Sequence, residues 1–260
     1  MPNIFAYQLR LVCHSREGGN LILRKTFSLI AYAILFLCLL TPNLHAYTLA
    51  EDLSLMPMGV RAMGMGAAFT AVADDASAVH FNPAGLSGKN TQILWADQDI
   101  SRTRADIDYS HVFSMGSWAY YDRTIIRNGA DAHLTAWGFG LQNPNGIDYG
   151  FNFKHINTAG IGAQFSLDAG VLIRLYQDTR LGLTAVNLIN GGSQVNPALR
   201  AGLVHYWGAL TLSTDLEYLT PVSGTNSITN MMLGAEYNIM QGFTVRSGYR
   251  LSQFTFGLSV

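Results

Sequence analysis

Two adjacent carboxylates, Asp74-Asp75, are the first chemistry this sequence offers, because paired acids can hold a metal ion or share a proton. A simpler role is local. Asp75 is placed to N-cap a short helix over 76–81 by accepting from its first free N–H groups. Asn82-Pro83 would end that helix, since the residue before proline avoids the α region. Nearby, Gly64-Met65-Gly66 permits close backbone approach but lacks the strand and spacing of a dinucleotide loop. The methionines Met56, Met58, Met63 and Met65 could line a path for an apolar ligand with flexible, polarizable side chains, or simply fill gaps. Ser110-His111 suggests acyl hydrolysis, yet a working site also needs an orienting group. His80, His111, His133, His155 and His205 are scattered, and neither G-x-S-x-G nor H-E-x-x-H occurs. The expectation is therefore no catalytic residue, no metal and no cofactor.

The segment that carries the acidic pair, 58–88, is rich in Gly and Ala and poor in large aliphatic side chains. It cannot build a core of its own; its small residues instead let backbone approach backbone, as in an insert made to sit inside something else. Ahead of it, Arg24-Lys25, an apolar run over 27–40 and Leu44-His45-Ala46 have the order of a cleaved secretory signal, so 1–46 reads as a signal peptide. The apolar run is shorter than the roughly 20 residues of a spanning helix. Within this leader, 1–23 resembles translated intergenic repeat, which would put the true start near Leu21 to Leu23. Both cysteines, Cys13 and Cys38, fall in the leader, so a chain cut there has no disulfide, thiol nucleophile or thiolate ligand. Cleavage also removes four basic residues and one acidic one, leaving 12 against 16 and a net charge of about −4. That balance gives no support to nucleic-acid binding.

From Thr91 onward the pattern changes to strict alternation. Phe243, Val245, Tyr249 and Leu251 alternate with Thr244, Arg246, Gly248 and Arg250; Leu210, Leu212, Leu216 and Tyr218 alternate with Thr211, Ser213, Asp215 and Glu217. Successive side chains of a strand face opposite sides, so these are strands with one apolar and one polar face. Twelve are expected: 91–98, 104–113, 116–123, 132–141, 146–155, 162–176, 179–189, 197–207, 209–219, 229–239, 243–252 and 254–260. A soluble sandwich shows the same alternation. Against it stand strand lengths near those of tilted membrane strands, and mid-strand charges (Asp168, Arg174, Asp215, Glu217, Arg246, Arg250) of the kind a wet lumen tolerates. Trp95, Phe113, Trp207, Tyr218 and Phe243 toward strand ends would form an interfacial girdle. The fold class expected is all-β: a transmembrane antiparallel β-barrel of about twelve strands with a small N-terminal plug containing a short helix. Its divisions are signal 1–46, plug 47–90 and barrel 91–260.

The run GVRAMGMGAAFTAVADDASAVHFNPAGL, residues 59–86, resembles the plug of the FadL-like and PorV/PorQ-like outer-membrane barrels over its whole length. Leu233-Gly-Ala-Glu-Tyr237 and Arg246-Ser-Gly-Tyr-Arg250 fit the PorV/PorQ side. The resemblance implies an outer-membrane protein acting in transport across, or secretion through, that membrane. Its partners would be outer-membrane lipid and either hydrophobic small molecules (FadL-like uptake) or secretion-system proteins, with a non-transporting structural barrel as a third role. It also implies that Arg61, Gly64, Gly66, Asp74, Asp75, Asn82, Pro83 and Ala84 hold the plug in the lumen, as a latch or a gate. FadL-like barrels have about fourteen strands, so by that resemblance either one or two closing strands are missing from the twelve counted here or this is a smaller barrel.

Overall fold

The computed structural model describes residues 53–87, 89–99, 106–190, 195–220 and 227–260. The proposed signal peptide and the start of the plug at 47–52 lie outside the described residues. Twelve strands follow one another as a single antiparallel meander: β1 Lys89–Asp99, β2 Ile107–Gly116, β3 Trp118–Arg127, β4 Ala130–Leu141, β5 Ile147–Thr158, β6 Gly162–Tyr176, β7 Thr179–Asn190, β8 Ala198–Trp207, β9 Leu210–Leu219, β10 Ile228–Met240, β11 Phe243–Arg250 and β12 Gln253–Ser259. All twelve expected strands are present. The largest offsets are at β2 and β3, where alternation continues through the Gly116 corner and leaves the turn position ambiguous by three or four residues. No described helix is long and apolar enough to cross a membrane.

The connections differ at the two ends of the sheet. Between β2 and β3, β6 and β7, β8 and β9, and β10 and β11 only one or two residues intervene, while 100–106, 191–197 and 220–227 at the other end are longer. Glycines with positive φ, such as Gly129, Gly208 and Gly242, make the tight corners.

The sheet curls around the plug. The plug consists of a helical turn at 53–55, helix α1 Val60–Gly64, helix α2 Ala78–Phe81 and a 3₁₀ turn Pro83–Leu86 that leads into β1. Its Phe69, Val72, Ala78, Phe81 and Leu86 share one buried core with Tyr121, Ile125, Leu134 and Ile156 of the wall. The small-residue stretch thus finds its core in the side chains of the strands that follow it. Among the described residues no ladder joins β12 back to β1. Helix α1 lies across the inner side of that seam, with Gly64 against Gly257 of β12 and Gly59 against Leu94 of β1.

Two expectations about the wall are corrected. Trp95 sits in the middle of β1 rather than at its end, so it belongs to no girdle. Arg174 at the end of β6 is exposed, but the mid-strand charges do not face a wet lumen: Asp168, Asp215, Glu217 and Arg246 are buried against the plug. Water is excluded there because plug backbone occupies the space.

Candidate functional site: the plug and its seat

Seven inward glycines of the wall mark where the plug backbone lies. Gly150 of β5 is paired with Gly140 of β4 and Gly170 of β6; Gly182 with Gly202 on β7 and β8; Gly234 with Gly248 on β10 and β11. A methyl group on Gly150 would run into Pro83 and Ala84, one on Gly170 into Asn82, one on Gly182 into Thr70 and Ala71, and one on Gly248 into Gly66. On Gly234 it would lie 2.6 Å from the Met65 carbonyl oxygen. The wall therefore carries a groove that no side chain could occupy, and the plug backbone follows it from Gly64 at β12 to Leu86 at β4. Gly66 is constrained twice: its φ is +63°, and a Cβ there would lie 2.5 Å from the Tyr249 nitrogen.

Polar side chains of the wall satisfy the plug backbone along this track. Asp215 accepts from the Thr70 N–H at 2.7 Å, Arg180 donates to the Val72 carbonyl at 2.6 Å, and Asn152 donates to the Val79 carbonyl. Thr255 donates to the Gly64 carbonyl at 3.2 Å. Toward the end with the longer connections, Arg123 grips the Leu53 and Met56 carbonyls and Arg200 the Leu55 carbonyl. These are the free acceptors of a helical C-terminus, and guanidinium is well suited to them. Each cation is itself paired across neighbouring strands, Arg123 with Asp108, Arg200 with Glu217 at 2.7 Å and Lys154 with Asp168 at 2.6 Å. A buried charge of this kind persists only when paired.

Arg61 is the latch. Its Nε and Nη2 donate to Glu236 at 2.8 and 2.9 Å, and its Nη1 donates to Asp74 at 2.5 Å and Asp75 at 3.3 Å. The guanidinium also stands 5.2 Å above the Phe69 ring, and Glu236 is shared with Arg246 at 2.5 Å. Burial opposes the charge on Arg61, but hydrogen bonds to Glu236 and Asp74 outweigh it and raise its pKa above the ordinary value. Asp74 thus binds Arg61, and among the described residues no group of acids and histidines has metal-binding geometry. Helix α2 starts at Ala78, two residues later than expected, with Ser77 at its N-cap. Asp75 accepts instead from the Ser77 N–H at 2.9 Å and its hydroxyl, bracing the turn that enters the helix. Asn82 turns extended, and its amide donates to the Thr70 and Val171 carbonyls while its oxygen accepts from the Ala84 N–H. It ties two plug segments to the wall at once.

The other candidates separate. Met58 and Met63 line a cavity of about 30 Å³ with Val60, Gln98, Asp108 and Ser110. Met65 is fully buried against Gly234, and the Met56 sulfur accepts from Arg127 at 3.8 Å, so the four methionines form no common lining. Ser110 faces the plug and is buried, whereas His111 points to the opposite face of β2, so strand alternation keeps hydroxyl and imidazole apart. His80 is buried against Tyr121 and Phe81. Burial, with Arg123, Arg200 and Lys154 nearby, pushes its pKa well below the usual histidine value. Inspection of the sequence missed Asn152, Arg180 and Asp215 as partners of the plug. Gly234, Glu236, Arg246 and Gly248 lay in the two short runs that carry the family resemblance. Those runs and Arg61 to Gly66 prove to be two sides of one interface.

Fold and seat together define a transmembrane antiparallel β-barrel whose lumen is filled by its own N-terminal segment. Among solved structures, the chain is similar to the CymD monoaromatic hydrocarbon channel, at 12% identity and a TM-score of 0.50, covering 78% of this chain and 84% of that one. It is also similar to the KdgM porin, at 8% identity and a TM-score of 0.44, covering 65% of this chain and 93% of that one. No family model and no curated protein matches the chain.

Proposed function

We propose that this protein is an outer-membrane barrel of PorV/PorQ type, closed in its resting state, that serves secretion through the outer membrane as a partner of a larger export channel. The observation that carries the reading is the glycine groove. A plug whose backbone fits the wall with no space for a methyl group does not leave an open porin lumen. The resemblance of 59–86, 233–237 and 246–250 to the PorV/PorQ side supports the same reading, since those segments build the latch and its seat. A signal peptide over 1–46 would deliver the chain to the membrane. Co-purification of the full chain with a large export channel from its own cells, and loss of secreted protein on deletion, are the expected results. Unchanged secretion in the deletion strain would remove this reading, and unchanged uptake as well would leave a structural barrel.

A second reading, uptake of hydrophobic small molecules, rests on the resemblance of 59–86 to the FadL-like side and on the methionines Met58 and Met63 beside exposed Val60. It predicts that purified protein binds a fatty acid or an aromatic hydrocarbon, and that Met63→Gln weakens the binding.

A further inference from the structure

The outer face of the wall is apolar on most strands: Leu199, Ala201 and Leu203 point outward on β8, and Leu212, Leu216 and Tyr218 on β9. Across β2 to β5 it is not. The register sets His111 opposite Asp122, Asp122 opposite Thr135, and Thr135 opposite His155, forming one polar row over four strands. Their sequence neighbours Val112, Tyr121, Leu134 and Ile156 are buried toward the plug, so the row itself points away from the lumen. Aromatic rings bound it at both ends, Trp95 edge-on to His111 at 4.6 Å and Phe165 at 5.1 Å from His155. On the short-turn side the next register row contains Tyr120 and Trp137.

Asp122 lies mid-way along β3, and among the described residues its carboxylate accepts one long hydrogen bond, from the Thr135 hydroxyl at 3.4 Å. The lysine and arginine side chains of β2 to β5 all turn inward: Arg123 and Lys154 to their wall carboxylates and Arg127 to Met56. An ionisable group on the lipid face of a barrel is costly unless something pairs with it. Acyl chains offer no donor, and a lipid phosphate would be repelled by the carboxylate. We infer that this row is a docking surface for an integral membrane protein whose outer wall presents a lysine or arginine to Asp122, while His111, Thr135 and His155 hydrogen-bond around it. The inference stands whichever molecule the barrel handles.

The test places a photo-crosslinking residue at Thr135, and at Leu212 as the control, in the full chain expressed in its own cells. Folding of each variant is checked by heat-modifiable gel mobility. The expected result is one crosslinked integral membrane protein at Thr135 and none at Leu212, with the crosslinked peptide carrying an outward Lys or Arg. In Asp122→Asn the yield should fall at least tenfold, while the purified barrel's thermal midpoint stays unchanged or rises. Crosslinks to lipid alone, a product of twice the chain's mass, a partner without a basic residue at the crosslink, or a yield indifferent to Asp122→Asn would each overturn the proposal.

Discussion

Replacing Gly234 by alanine is the sharpest perturbation of the plug seat. The added methyl would lie 2.6 Å from the Met65 carbonyl oxygen and 3.0 Å from the Met65 Cβ. Ordinary carbon–oxygen contact is nearer 3.3 Å, so plug or strand must move by about 0.7 Å in a close-packed region. Overpacking of that kind costs roughly 1–3 kcal/mol. For a chain of this size it corresponds to a fall in melting temperature of roughly 2–4 °C per kcal/mol. The position of the clash supplies the internal control. At Gly257 the nearest atom, the Gly64 Cα, would be 3.1 Å away and lies at the seam, so Gly257→Ala should cost less than about 1 kcal/mol. At Gly150 plug backbone from both Pro83 and Ala84 is in the way, so Gly150→Ala should cost the most. Urea unfolding of the three variants in lipid vesicles, followed by tryptophan fluorescence, gives the ranking. Conductance in a planar bilayer then reports whether the plug has shifted. Three variants indistinguishable from the parent in both assays would refute the seating argument.

Arg61→Ala should cost about 1–3 kcal/mol and raise conductance, because Asp74 and Glu236 lose a shared donor. Arg61→Lys should not restore the parent's unfolding midpoint, since an ammonium cannot reproduce the two-point contact with Glu236. Asn82→Ala removes an amide that meets the Thr70 and Val171 carbonyls and the Ala84 N–H, and should lower the unfolding free energy by about 2–3 kcal/mol. His80 makes stability fall with pH on the acid side. The unfolded chain takes up a proton below about 6.5 and the folded chain resists it, so the unfolded state binds more protons in that window. The loss should reach at most about 1.4 kcal/mol per pH unit below 6.5 and vanish above it. Unfolding curves at pH 8 and pH 5 should therefore converge in His80→Gln, and an unaltered difference would exclude His80 as its origin.

Strand alternation was legible because side chains of a strand face alternate sides whatever lies beyond them, so β1 to β12 follow from period and turn residues alone. The 58–88 segment was legible as an insert for a related reason: Gly and Ala cannot form a core by themselves, and something larger must surround them. The sequence could not say which atoms surround them. Arg61 meets Glu236 across 175 residues, and Thr70 meets Asp215 across 145, distances that no local pattern encodes. The inward glycines look like ordinary strand interruptions until the register aligns them into a groove. The acidic pair was settled in the same way, since only the folded chain brings the Arg61 guanidinium to Asp74. The sequence by itself therefore determined an alternating sheet and a segment in need of enclosure. The tertiary structure decided which atoms enclose it and how tightly, because only the packed chain sets plug backbone against wall glycines at methyl-excluding distance.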